Sequence, residues 1–117
     1  HASVVEKLLA EGASVKTTTF RCRKTPLHLA AARGHVNTVR KLLAKATEKR
    51  ESVNAVDGGG DTPLHLAAAN GHVDVVVQLL ADDAAVNDVN HDGNTPLHLA
   101  AANGHVVVVG KLLAEGA

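Results

Sequence analysis

Residues 94–105 read NTPLHLAAANGH, residues 61–72 read DTPLHLAAANGH, and residues 24–35 read KTPLHLAAARGH. The reading of this phrase decides the fold. Its threonines, Thr25, Thr62 and Thr95, are 37 and 33 residues apart. A second phrase follows each copy: GHVNTVRKLLA at 34–44, GHVDVVVQLLA at 71–81 and GHVVVVGKLLA at 104–114. The chain opens on a headless version, HASVVEKLLAEGA, in which His1 lies 34 residues before His35. Self-similarity at a fixed period of this length is the mark of a repeat architecture.

The local chemistry of one unit is legible. Threonine is a good N-cap, and the proline after it occupies the first helical position, where its missing N–H costs nothing. Gly34, Gly71 or Gly104 then supplies a left-handed stop. A second helix is predicted from apolar residues at helical spacing: Val36, Val39, Leu42, Leu43; Val73, Val76, Leu79, Leu80; Val106, Val109, Leu112, Leu113. A polar turn, a short extended VN or VK piece and a turn holding Gly60 or Gly93 complete the unit. Each unit therefore reads as helix, turn, helix and hairpin-like loop.

The irregularities fall between these phrases. Leu9 to Val15 and Leu80 to Val86 each take six steps, whereas Leu43 to Val53 takes ten. The extra residues lie in AKATEKRES and read as a polar inserted loop at about 45–52. Insertions between intact helical phrases are what a stacked solenoid tolerates.

With a period near 33 and the signature T-P-L-H-x-A three times over, the sequence resembles the ankyrin-repeat family. The resemblance covers essentially the whole chain: a half repeat at 1–15, then repeats at about 16–49, 53–85 and 86–117. It implies an all-α solenoid of stacked helix-turn-helix units with hairpin-like loops, in one domain spanning 1–117. One such helix pair cannot bury its apolar face alone, so the layers must shelter one another. The inner helices are rich in alanine (Ala30, Ala31, Ala67, Ala68, Ala100, Ala101) and the outer ones in valine and leucine, which predicts a stack curved around its inner side.

Composition agrees with thin, regular layers. The chain of 117 residues is 45% apolar, yet Phe20 is its one aromatic residue. Cys22 is the lone cysteine, so no internal disulfide is expected. No secretory leader and no apolar run of about 20 residues is seen. These features suit an intracellular protein, in the cytoplasm or the nucleus.

The histidines raise the question of chemistry. His28/His35, His65/His72 and His98/His105 are each seven apart across a glycine stop, which is not a zinc-binding spacing. Equivalent residues on packed helices lie roughly 8–10 Å apart, too far to share an ion that needs ligands at about 2 Å. The spacing favours a structural role: the TPLH ring bridges the capping threonine to loop backbone and satisfies polar groups that a tight turn would bury. No cofactor and no catalysis are expected. His91, outside both phrases, is a candidate contact residue.

The resemblance implies partner binding at the loop tips and on the exposed part of the inner helices. The tips are Arg21, Cys22 and Lys24; Gly58, Gly59 and Asp61; and His91, Asp92 and Asn94. The helix positions are Ala32 and Arg33, Ala69 and Asn70, and Ala102 and Asn103. The partner is expected to be another protein.

Charge is unevenly spread. Lys16 to Arg50 holds ten basic residues and one acidic, whereas Glu51 to Asp92 holds eight acidic and none basic. Two readings stand: compensation between adjacent repeats, each exposed pair worth about 0–1 kcal/mol, or steering of a partner with an acidic patch toward the 16–50 segment. Nucleic acid is not expected, because aromatic stacking residues are missing apart from Phe20 and acid fills the next repeat.

Some residues depart from the pattern. Arg23 stands where the other loops have Gly60 and Gly93, so TTTFRCRK is expected to leave the hairpin form. Asp83 replaces the glycine found at Gly12 and Gly116. The last helix carries Val107 and Gly110 at outward places, so self-association through the C-terminal helix is one expectation and excision from a longer array another. The reading is a protein–protein interaction scaffold. The alternatives are a spacer or regulatory segment of a larger multidomain protein and an engineered ankyrin binder.

Overall fold

The computed structural model describes residues 23–117, so Arg21, Cys22, Phe20 and the half repeat at 1–15 lie outside the described residues. Among the described residues there are seven helices and no strand. They are α1 (Pro26–Arg33), α2 (Val36–Lys45), α3 (Lys49–Val53), α4 (Pro63–Ala69), α5 (Val73–Ala81), α6 (Pro96–Ala102) and α7 (Val106–Ala114). The fold is the all-α repeat solenoid that the signature implies.

The Thr-Pro segments open the inner helices α1, α4 and α6. In each, the threonine side chain accepts from the backbone N–H of the third helical residue, a histidine, whose ring accepts in return from the threonine N–H. This is a capping box in which histidine stands where glutamate is usual. The inner helices end at glycines in the left-handed region, with φ of 76° at Gly34, 73° at Gly71 and 74° at Gly104. The chain then turns directly into the outer helices.

Inner helices pack in one row, α1 on α4 on α6, and outer helices α2, α5 and α7 in a second, with each inner helix also against its own outer partner. The core runs between the rows. Leu27 and Leu64, Ala30, Ala67 and Ala100, Val39 and Val76, and Leu42, Leu79 and Leu112 recur at equivalent places in it, each at most 1% exposed. Small alanines let the inner row close up, while the branched residues fill the wider outer gap.

Two expectations need correction. The inserted segment at 45–52 is not simply a loop, because Lys49–Val53 forms the short helix α3. A helix advances only about 1.5 Å per residue, so coiling takes up the four extra residues and still delivers Val53, 0% exposed, to the core. The VN pieces are not extended either: Val53 closes α3, and Val86–Asn87 lies in a turn. Arg23 has a left-handed backbone at φ 54°, near the 79° of Gly60 and Gly93, while the rest of the TTTFRCRK loop lies outside the described residues. Asp83 adopts φ 69° in the place of the turn glycine.

Candidate functional site

The loop tips are built on Asp57 and Asn90, two residues outside the repeated helical phrases. Asp57 accepts through Oδ1 from the N–H groups of Gly59 and Asp61, both at 2.9 Å. Asn90 does the same for Asp92 and Asn94, both at 3.0 Å. Each tip is closed by paired main-chain bonds, Asp57 N to Asp61 O and Asn90 N to Asn94 O, at 2.9 Å. The signal was present: Asp57 and Asn90 stand three residues before Gly60 and Gly93, where a turn with Asp or Asn first and Gly last is favoured.

Adjacent tips are tied together. His91 N donates to Gly59 O at 3.0 Å, and Asn90 Nδ2 donates to Asp61 Oδ1 at 2.9 Å. Lys24 Nζ meets Asp57 Oδ2 at 2.6 Å. The Asp57 side chain is only 3% exposed. Burial disfavours its charge, but the Lys24 ammonium together with the Asp61 and Gly59 N–H groups outweighs that, and the carboxyl is held below its ordinary range.

The signature histidines are consumed in bracing. Thr25 N–H donates to His28 Nδ1 at 3.1 Å, so the ring proton sits on Nε2, which donates to Asp61 O of the next repeat at 2.8 Å. His65 repeats this with Thr62 at 3.1 Å and Asn94 O at 2.9 Å. Burial pushes the His28 imidazole below its usual pKa, against the bond to the Asp61 carbonyl, which favours the charged ring. The second set acts in the opposite direction along the chain. His72 Nε2 donates back to Ala32 O and His105 Nε2 to Ala69 O, both at 3.0 Å. These rings lie flat against glycine: a methyl group on Gly34 would sit 2.6 Å from His72 Nδ1, and one on Gly71 2.6 Å from His105 Nδ1. Among the described residues no group of three or more His, Cys, Asp or Glu is placed to hold a metal ion.

The candidate contact residues divide under this geometry. Gly58, Gly59, His91 and Asp92 at the tips are exposed, as are Arg33, Ala102 and Asn103 on the inner side. Lys24 and Asp61 are half-buried and occupied with the neighbouring tip. Asn70 and Asn103 are exposed, but each donates to the preceding repeat, to Ala32 O at 3.1 Å and Ala69 O at 3.0 Å. Ala32, Ala69 and Asn94 are half-buried and supply main-chain acceptors to these braces. A further staple was not read from sequence: Asn54 accepts from Ala85 N at 2.7 Å and donates to Asp83 O at 3.3 Å.

Part of the charge asymmetry is absorbed between repeats, through Lys24–Asp57 and a wide, exposed approach of Arg50 to Asp83 at 3.9 Å. The exposed pair contributes little to stability. No helix among the described residues is long and apolar enough to cross a membrane.

The ankyrin-repeat family model matches in three copies, over residues 1–90 and 47–117. The chain belongs to the ankyrin-repeat family. Ankyrin repeats are in general protein-interaction modules, and the family is typically not catalytic. A curated relative, alpha-latrotoxin-Lhe1a from Latrodectus hesperus, is 44% identical over 43 residues. That match covers 37% of this chain and spans 3% of the relative's length.

Proposed function

We propose that this ankyrin-repeat chain is a protein-binding scaffold that engages its partner through the loop tips and the exposed side of the inner helices, and that it performs no catalysis. The observation that carries this reading is the division of labour in the repeat. The patterned residues, His28, His65, His72 and His105, are spent on backbone carbonyls of neighbouring layers. What remains outward and unpatterned is Gly58, Gly59, His91, Asp92 and Arg33. The ties between tips hold this surface in one arrangement, which lowers the ordering cost of binding. The partner is a protein with an acidic patch. Lys24 is engaged by Asp57, and exposed cations of the basic segment, among them Lys45 and Lys49, supply the attraction.

The test places a photo-crosslinking residue at Gly58 or Asp92, with Asp74 on the outer helix as the comparison site. A saturable protein adduct is expected from the tips and not from position 74. Equal yield from both, or adducts that never saturate, overturns the assignment. Reversing Lys45 and Lys49 to glutamate should slow association several-fold at low salt, with the difference shrinking as salt rises.

The short span of the alpha-latrotoxin match favours a second reading, in which these repeats are a spacer or regulatory segment of a larger protein. In that case the crosslinked partner is another domain of the same polypeptide.

A further inference from the structure

The inner helices α4 and α6 stop on Asn70–Gly71 and Asn103–Gly104, and these are the asparagines of the chain that precede glycine. The Cγ of an asparagine side chain is open to attack by the main-chain nitrogen of the next residue. Glycine, with no side chain, leaves that nitrogen unshielded. Both asparagines are exposed to water. The fold nevertheless holds each pair away from reaction. Closing a five-membered ring requires the glycine nitrogen to eclipse the asparagine Cβ, and ψ of 1° at Asn70 and 6° at Asn103 turns it away. That nitrogen is also tied, Gly71 N to Ala68 O at 3.2 Å and Gly104 N to Ala101 O at 3.1 Å. Rotation toward the reactive angle breaks these bonds together with His72 N to Ala67 O at 3.0 Å and His105 N to Ala100 O at 2.9 Å. Those are the bonds that stop the inner helices.

The side-chain amides also hold the preceding layer. Asn70 Nδ2 and His72 Nε2 share one acceptor, Ala32 O, at 3.1 and 3.0 Å. Asn103 Nδ2 and His105 Nε2 share Ala69 O, both at 3.0 Å. Each tie runs back to an earlier layer, so both sites are complete within the described residues. Replacing the amide by a carboxylate removes a donor and sets an acceptor against the carbonyl.

We infer that Asn70–Gly71 and Asn103–Gly104 are deamidation sites latched by the layer contacts. The closed helix stop protects them, and local opening of the stop lets them react and prevents reclosure. The glycine nitrogen attacks Cγ and forms a C–N bond. The Cγ–Nδ2 bond breaks, and the amide nitrogen leaves as ammonia with the proton from the glycine nitrogen. Water then opens the cyclic imide. Addition at Cγ yields aspartate, and addition at the main-chain carbonyl yields isoaspartate, with an extra methylene in the backbone. Nothing is oxidised or reduced. Neither product can donate to Ala32 O or Ala69 O. The inference stands apart from partner binding and does not depend on it.

The experiment holds the full chain at mildly alkaline pH, with and without urea, and follows conversion at each site by peptide mapping with mass spectrometry. Amide exchange at Gly71 and Gly104 is read in parallel. Conversion is expected to be roughly tenfold or more slower in the folded chain than in the unfolded one. In urea below the unfolding midpoint it should rise in step with exchange. Arg33–Gly34, the equivalent pair without a side-chain amide, supplies the background. Equal rates in folded and unfolded chain, or conversion that does not follow exchange, overturn the inference. A second arm compares Asn70→Ala, which removes the donor, with Asn70→Asp, which also adds the charge. Both should lower the urea midpoint at pH 7.5. The aspartate variant should lose more, and its excess should fade as pH falls through the carboxylate range. Equal midpoints for the two variants, or an Asn70→Asp midpoint equal to that of the parent, overturn the latch. The first arm uses the unaltered chain, so a variant that fails to fold leaves the conversion rates to decide.

Discussion

His28 shows how a single residue can be fully determined by its surroundings. Its Nδ1 must accept from Thr25 N–H, and its Nε2 must donate to Asp61 O. Only the neutral ring with its proton on Nε2 does both. A folded-state pKa below the unfolded value means that the unfolded chain binds more protons as pH falls from about 6.5. Stability from this residue is therefore complete above about pH 6.5 and declines as pH falls toward the lowered folded value. Urea midpoints measured at pH 7.5 and pH 5 should differ, and His28→Gln should narrow the difference. Asp57 adds a second decline at lower pH, as its carboxyl protonates below the ordinary 3.8. The bracing role of the TPLH histidine was legible in sequence, because a capping threonine three residues earlier fixes one end of the ring. Its far acceptor was not, since a main-chain carbonyl 33 residues away leaves no side-chain signature. Asp57 and Asn90 were readable from turn chemistry, as residues three places before Gly60 and Gly93, though they lie outside the repeated helical phrases.

The elements differ in how strongly local rules specify them. The inner helices carry their own start and stop, so α1, α4 and α6 follow from the sequence nearly residue by residue. The segment now forming α3 carries no such signals, only lysine, glutamate and arginine around Ser52 and Val53. It is helical because Val53 must reach the core across an enlarged gap, a tertiary demand that overrides a polar composition. Coiling there has a cost: Ser52 is 4% exposed and its hydroxyl has no hydrogen-bond partner. Removing a buried hydroxyl that bonds to nothing relieves its desolvation. Ser52→Ala is expected to leave stability unchanged or raise it by about 1 kcal/mol, read from the urea midpoint. A loss of similar size would show that the hydroxyl has a partner in solution.

For the molecule as a whole, stability lies between layers more than within them. Gly71 and Gly104 share a backbone conformation, with φ of 73° and 74°, but differ in what lies above them. Gly71→Ala would put a methyl group 2.6 Å from His105 Nδ1, whereas Gly104→Ala meets open space. Both variants carry the left-handed penalty of about 1–2 kcal/mol. Only the first adds overpacking of about 1–3 kcal/mol. Chemical denaturation of the two variants should show that gap, and equal losses would mean that the histidine seat adjusts freely. The stacked order of the repeats was legible in the period itself. The partner surface was not, because recognition rests on the residues that the repeat leaves unpatterned, and there the sequence offers positions without chemistry.

The braces at positions 32, 69 and 94 all end on main-chain oxygens. Every residue type presents that oxygen in the same way, so the side chains at these positions can be exchanged while the clasp between layers persists. The architecture thus separates what must stay constant from what is free to vary. A lineage can retarget the inner surface one substitution at a time, with each intermediate still folded.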